Sequence, residues 1–111
     1  MKQISIEEFE QVCLATGTII QCRFFDKARK PAYQLWIDLG DWGIRQSSAQ
    51  ITALYTPEKL IGRQVICVVN IIPRIIAGFR SEVLVTGFSN QDGDIVLAVP
   101  DCIIPNGKHL H

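Results

Sequence analysis

A short basic run is the part of the sequence best suited to bind a charged ligand. Arg23, Lys27, Arg29 and Lys30 lie within eight residues, and only Asp26 among them carries the opposite charge. Cationic side chains at this spacing can neutralise several phosphates, a large source of affinity in nucleic-acid-binding proteins. A solvated basic loop would have the same composition, so both interpretations stay open. Three further arginines lie at the edges of predicted strands: Arg45, Arg74 and Arg80.

The sequence contains no set of side chains that is typical of an active site. Both histidines lie at the extreme C-terminus, so the body of the chain offers no Ser-His or Cys-His pair. Asp38 with Asp41, and Asp92 with Asp94, lie at predicted turns, where aspartate caps backbone N–H groups. No phosphate-binding or dinucleotide-binding glycine motif is present. We therefore predict a binding protein without enzymatic activity, cofactor or metal site.

Aromatic side chains flank the basic positions. Phe24, Phe25, Trp36, Trp42 and Phe79 could stack on nucleobases, which contributes about 1–3 kcal/mol per base in single-strand-binding proteins. A place in the core is the simpler interpretation for whichever of the two adjacent phenylalanines points inward. Trp36 falls on the outward face of its predicted strand, where so large an apolar side chain indicates an interface.

The hydrophobic pattern predicts that short strands position these side chains. Ser5 followed by Glu8 indicates a capping box that opens a short helix. Apolar and polar residues alternate over residues 33–40, which is typical of a half-buried strand. Thr56 and Pro57 predict the start of a second short helix, with Thr56 as its cap. The predicted strands cover residues 17–25, 33–40, 44–51, 64–70, 81–88 and 95–99.

The order of these elements predicts the fold class. Three strands, a helix and then further strands are the order of an OB fold, which is a five-stranded Greek-key barrel. A generic small β-barrel is the alternative. We predict an all-β protein in which residues 1–111 form one domain, with a short N-terminal helix, a hairpin turn at residues 90–94 and an extended C-terminal tail.

The segment from Asn70 to Val85 is apolar and yet interrupted. Pro73 and Gly78 divide it, and a core strand does not tolerate proline. We interpret it as two core strands joined by a loop on the ligand-binding side of the barrel. The four isoleucines of this loop cannot all face one core because Pro73 separates them, so some must point outward: Ile71, Ile72, Ile75 and Ile76.

Composition limits the class of protein. The chain has 111 residues, of which 48% are hydrophobic and 20% charged, and its formal net charge is zero. This composition is typical of one globular domain and argues against a strongly basic nucleic-acid binder. The sequence shows no signal peptide and no apolar run long enough for a membrane span. Its four scattered cysteines predict reduced, mostly buried thiols and a cytoplasmic location.

Four motifs in this order and spacing resemble the CsaA family: ARKPAYQLWIDLG, IRQSSAQIT, LIGRQVICVVN and IAGFRSEVLVTG. This family groups with the small tRNA-binding domains that are also appended to methionyl-tRNA synthetases, and the likeness covers roughly Ile6 to Lys108. The resemblance implies a cytoplasmic OB-fold homodimer. It also implies a chaperone related to protein export, on a fold that belongs to tRNA-binding domains.

Individual positions carry the resemblance further. Asn70 matches the Asn that ends the strand before the family's proline-containing loop, and Ser81 matches the Ser that follows the family's Gly-x-x step. Arg45, Ser47 and Ser48 match the basic and small polar residues of its third strand. The chain departs from the family where isoleucines replace a proline, an aromatic residue and a polar or basic residue; Ile75 stands at the polar or basic position. These changes weaken the electrostatic case for RNA and favour an apolar binding surface.

The sequence therefore predicts a dimeric chaperone that binds unfolded or precursor polypeptides, with the export machinery as a further partner. The alternatives are a tRNA-binding protein with little affinity for peptides, and an accessory subunit of a larger complex. The candidate RNA-binding residues are Lys27, Arg29, Lys30, Arg45, Ser47, Ser48, Asn70, Arg74, Arg80 and Ser81. The candidate peptide-binding residues are Ile71, Ile72, Ile75 and Phe79, and the candidate dimer-interface residues are Trp36, Cys102, Ile103 and Ile104.

Overall fold

A computed structural model describes all 111 residues. Two short helices accompany nine strands, and a single 3₁₀ turn covers Gly40–Trp42. The helices are α1 (Ile6–Phe9) and α2 (Pro57–Leu60). The strands are β1 (Leu14–Phe24), β2 (Tyr33–Asp38), β3 (Ile44–Ala49), β4 (Gln64–Val68), β5 (Arg74–Ile76), β6 (Phe79–Ser81), β7 (Leu84–Val85), β8 (Gly87–Ser89) and β9 (Ile95–Leu97).

Local sequence signals account for several of these elements. The capping box of α1 is present: the Ser5 hydroxyl accepts from the Glu8 N–H, and the Glu8 carboxylate accepts from the Ser5 N–H, both at 3.1 Å. Helix α2 begins with Pro57 and has Thr56 at its N-cap position, as predicted, although the Thr56 side chain makes no capping hydrogen bond. The predicted alternation in β2 is confirmed, with Tyr33, Leu35 and Ile37 buried.

Five strands form one antiparallel sheet in the order β3-β2-β1-β4-β7, which curls into a nearly closed barrel. Strand β1 is long enough to pair with β4 through its first half and with β2 through its second, and the register shifts between Ile19 and Gln21. The barrel closes where the Glu82 N–H donates to the Gln46 carbonyl at 2.8 Å and the Ser47 hydroxyl to the Val83 carbonyl at 2.7 Å. The predicted OB-type barrel is confirmed.

The core lies inside this barrel. Ile19, Leu35, Ile37, Leu39 and Leu60 are fully buried. Gly17 is required where β1 crosses β2, because an added Cβ would lie 2.6 Å from both the Ile37 and the Leu39 side chains. A methyl group there would force these buried side chains to move, since carbon atoms in contact need about 3.5–4.0 Å.

The segment from Asn70 to Val85 contains a hairpin that the sequence analysis did not predict. Strands β5 and β6 pair antiparallel, and Ala77 (φ 47°) and Gly78 (φ 81°) form the turn between them. Positive φ at both central positions is the geometry that two-residue hairpins need to match strand twist. The predicted strand over residues 81–88 is also divided, into β7 and β8. The predicted turn at residues 90–94 is confirmed as the link between β8 and β9.

The C-terminal tail is extended as predicted and lies along the first half of β1. The Thr16 N–H donates to the Lys108 carbonyl at 3.1 Å, and the Gly107 N–H donates to the Thr16 carbonyl at 2.7 Å. The Gln64 side-chain amide also bonds the Ile104 backbone through both its N–H and its oxygen. The tail therefore supplies an additional edge to the barrel.

None of the helices is both long and apolar enough to cross a lipid bilayer.

Candidate ligand-binding face

Two clefts open beside the β5–β6 hairpin. The loop that follows β1 forms a rim common to both: Asp26 and Lys27 line one cleft, and Arg29 and Lys30 line the other. Two hydrogen bonds hold the hairpin against β3. The Gln46 amide donates to the Arg80 carbonyl at 2.9 Å, and the Ser48 N–H donates to the Ser81 hydroxyl at 3.0 Å.

We call the first opening, of about 420 Å³, the aromatic cleft; its lining residues are Arg23, Phe24, Phe25, Asp26, Lys27, Gln34, Ala77, Gly78 and Phe79. The Phe79 ring meets Phe25 edge-on, with ring centroids 5.4 Å apart, and meets Trp36 at 5.9 Å. The guanidinium of Arg23 lies over the Trp36 ring, 5.6 Å from its centroid. This cation–π contact holds the Arg23 guanidinium in place beside the aromatic rings of the cleft.

We call the second opening, of about 240 Å³, the basic groove; its lining residues are Ala28, Arg29, Lys30, Ala32, Ser48, Gln50, Arg74 and Ile76. Its charged side chains are all cations, and they come from two segments that are far apart in sequence. Strand pairing places Arg74 opposite Ser81, whose hydroxyl in turn accepts from the Ser48 N–H of β3. The fold thus brings together four of the candidate RNA-binding residues: Arg29, Lys30, Ser48 and Arg74.

The isoleucines around Pro73 point outward, as the sequence predicted for some of them. The side chains of Ile71, Ile72 and Ile75 are 40%, 85% and 64% exposed. Ile76 is half-buried and faces the basic groove. Ile71, Ile72 and Ile75 therefore leave exposed apolar surface at the start of the hairpin.

Three candidate RNA-binding residues make hydrogen bonds to other parts of the same chain. The Ser47 hydroxyl is buried and donates to the Val83 carbonyl, so it is not free to contact a ligand. The Asn70 oxygen accepts from the Cys13 N–H at 2.9 Å, and its amide donates to the Gln11 carbonyl at 2.7 Å. The Arg45 Nε donates to the Trp42 carbonyl. These contacts indicate structural roles, and we omit these three residues from the proposed surface.

The remaining candidates lie at separate places. Arg80 is exposed at the side of the hairpin, where its Nε lies 3.7 Å from a Glu82 carboxylate oxygen. Trp36 is on the outer face of β2 as predicted. It is half-buried, because Phe79 and Arg23 of the same chain cover part of its ring. A partner subunit is therefore not needed to shield it. In the tail, Cys102 and Ile103 are exposed and Ile104 is half-buried.

The candidate residues chosen from the sequence left out three residues of the aromatic cleft: Arg23, Phe24 and Gln34. Arg23 and Gln34 are direct partners in the β1–β2 ladder, so they meet on one face of the sheet. The missing signal was the register between these two strands. Of the two adjacent phenylalanines, Phe25 is the buried one and Phe24 remains 54% exposed.

Two thiols of the barrel have a raised pKa. Burial, with a smaller effect of the Glu58 charge, raises the pKa of Cys22 to about 11. Burial alone raises the pKa of Cys67 to about 12. All four cysteines are free, but the prediction that most are buried is wrong, because only Cys67 is. Since the thiolate is the reactive form, these two thiols are poor nucleophiles at neutral pH.

The barrel, its long β1 and the hairpin beside β3 can be compared with known proteins. Residues 14–109 match the family described as "Putative tRNA binding domain". The fold superposes on the crystal structure of chaperone CsaA from Bacillus anthracis with a TM-score of 0.93 and 45% identity, covering 99% of this chain and 100% of that one. The chain belongs to the tRNA-binding domain family, in its CsaA branch.

Further relatives connect the CsaA branch with the synthetases. The CsaA chaperone protein from Picrophilus torridus has a TM-score of 0.92 and 40% identity, over 98% of this chain and 100% of that one. The methionine–tRNA ligase of Methanocaldococcus jannaschii is 32% identical over 99% of this chain. The chain spans only 17% of the length of that ligase. The predicted CsaA resemblance is confirmed.

Proposed function

We propose that this protein is a non-enzymatic chaperone that binds unfolded or precursor polypeptides. The observation that carries the proposal is the set of outward isoleucines beside Pro73, above all Ile72 at 85% exposure. Full burial of one such side chain contributes roughly 1.5–3 kcal/mol. Part of that is offset by ordering the ligand, so several shallow contacts would produce weak, sequence-tolerant binding. An export-related role agrees with the CsaA likeness.

Salt dependence tests the proposal against a purely electrostatic function. Binding of an unfolded client through isoleucine contacts should stay constant or strengthen as salt is added. Phosphate binding should weaken steeply. The experiment measures suppression of aggregation of a chemically denatured client at several salt concentrations. The Ile72→Ser variant is measured in parallel with the wild-type protein. Failure of the wild-type protein to suppress aggregation at any salt concentration would contradict the chaperone proposal.

A second candidate function is tRNA binding with little affinity for peptides, and the basic groove favours it. Arg29, Lys30 and Arg74 place three cations on one small surface without a neighbouring carboxylate in its lining. Reversal of Arg29 and Arg74 to glutamate should abolish a tRNA gel shift at low salt without unfolding the barrel. Unchanged affinity would show that the groove is only a solvated surface. A role as an accessory subunit of a larger complex would instead require capture of a defined protein partner.

We also propose a homodimer that acts in the cytoplasm. Ile103 at 88% and Ile6 at 64% exposure leave apolar surface near the tail and α1 that a second copy could bury. Isologous pairing of such surfaces is the commonest route to soluble dimers. Free thiols at all four cysteines agree with a reducing compartment.

A further inference from the structure

We infer that the aromatic cleft is a polypeptide subsite that takes an apolar side chain next to a carboxylate, and that it is separate from the basic groove. This inference rests on the chaperone function proposed above. It assigns Lys27, which the sequence grouped with the RNA-binding residues, to the peptide.

The charges of the two clefts support this division. The basic groove presents Arg29, Lys30 and Arg74 with no carboxylate in its lining. The aromatic cleft presents Arg23 and Lys27 together with Asp26, so its lining carries an excess of one positive charge. A polyanion gains affinity with each phosphate that is neutralised, and Asp26 would repel it. A single carboxylate on a peptide is complementary to this excess of one positive charge.

The floor of the aromatic cleft explains the apolar part of the preference. Phe24 is 54% exposed, so its ring is available to a ligand, while Tyr33 meets it edge-on at 6.3 Å. Phe79 is held by Phe25 and Trp36, so the opposite wall is rigid. When an aromatic or aliphatic side chain of a ligand enters the cleft, the protein's own rings therefore lose little conformational freedom. Gln34 and the backbone at Gly78 leave polar groups for the main chain of an extended peptide.

Two substitutions in one loop test the division. Lys27→Glu and Arg29→Glu make the same charge change two residues apart, both at exposed positions. Their long-range effects on a polyanion should therefore be equal, and only their local effects differ. The probes are fluorescein-labelled peptides of equal length that contain Phe-Asp, Phe-Lys or Ala-Asp, and a deacylated tRNA. Fluorescence anisotropy gives the peptide affinities, and filter binding gives the tRNA affinity.

We expect the Phe-Asp peptide to bind best. Phe24→Ala should weaken binding of this peptide about tenfold, as expected for the loss of one apolar contact. Lys27→Glu should also weaken it, because it replaces an attractive charge near the peptide carboxylate with a repulsive one. Arg29→Glu should mainly lower the affinity for tRNA. Phe88→Ala is the matched control, because Phe88 is 75% exposed and lies in β8, outside both clefts; it should change neither affinity.

Three results would overturn the inference. If Lys27→Glu and Phe24→Ala lower the affinity for tRNA more than the affinity for the Phe-Asp peptide, the aromatic cleft stacks nucleobases. If the variants keep full affinity for the Phe-Asp peptide while the wild type still suppresses aggregation, clients bind elsewhere and the proposed function stands. If the wild type binds no peptide and suppresses no aggregation, the proposed function fails as well.

Discussion

Replacement of Ile75 by arginine should separate polypeptide binding from tRNA binding. Ile75 is 64% exposed and lies opposite Arg80 in the β5–β6 hairpin. The new arginine would face Arg80, and like charges directly opposite in a hairpin cost up to about 1 kcal/mol. Glu82, whose carboxylate oxygen lies 3.7 Å from the Arg80 Nε, offsets part of this repulsion. The free energy of unfolding should therefore fall by less than about 1 kcal/mol.

The effect on the ligands should be opposite in sign. Roughly two thirds of the isoleucine side chain is available for burial, so its loss removes about 1–2 kcal/mol of client contact. That corresponds to about 5- to 30-fold weaker binding of an unfolded client. The added cation would stand on the same face of the hairpin as Arg80, so a phosphate bound there would meet two cations and tRNA affinity should rise at low salt. If the new arginine contacts a phosphate, the slope of log affinity against log salt should steepen by about 0.7–0.9.

The assay compares urea unfolding, aggregation suppression and tRNA filter binding for Ile75→Arg and Ile44→Arg. Ile44 is the control because it is 59% exposed at the start of β3 and lines neither cleft. If Ile75→Arg unfolds the protein, Ile75 supports the core and our interpretation of the hairpin is wrong. If both activities stay unchanged, the hairpin is not the binding surface. An equal rise in tRNA affinity for Ile44→Arg would indicate a general charge effect.

Three further predictions concern stability and assembly. Asn70→Ala should lower the free energy of unfolding by about 1–3 kcal/mol, since two hydrogen bonds are lost. Its affinity for tRNA should stay unchanged. Weaker tRNA binding by the folded variant would show that Asn70 belongs to the RNA-binding surface after all. Because burial raises the pKa of Cys67 from 9.0 to about 12, its contribution to stability should be complete below pH 9 and be lost between pH 9 and 12. Urea titrations across that range measure this loss, and a disulfide reagent at pH 8 should modify Cys102 but not native Cys67. Sedimentation should show a dimer that Ile103→Asp dissociates; a wild-type species of 12.4 kDa would contradict the proposed homodimer.

The elements set by local sequence could be predicted. The capping box at Ser5 and the alternation in β2 each depend on residues a few positions apart, and both formed as expected. The β5–β6 hairpin was missed because its strands have only three residues each and its turn lacks an Asn-Gly or Asp-Gly pair. Ala77 occupies a left-handed position that alanine rarely adopts.

The candidate site was harder to predict because its contacts are distant in sequence. Strand β3 carries polar residues on both faces, so its pattern did not show that Ser47 points inward and Ser48 does not. Asn70 looked like a binding residue, but its partners Gln11 and Cys13 lie almost sixty positions earlier, at separations of 59 and 57 residues. The basic groove was partly foreseen because Arg29 and Lys30 are adjacent in the sequence.

The tail that borders β1 has a consequence for how the chain folds during its synthesis. The Thr16 hydroxyl donates to the Pro105 carbonyl, a partner 89 residues later. Until that part has left the ribosome, the backbone groups of Leu14–Thr18 that face the tail have no partner, and exposed strand edges can pair with other chains. Contacts of such long range also slow folding. A protein proposed to protect unfolded chains would itself spend its synthesis with an open edge.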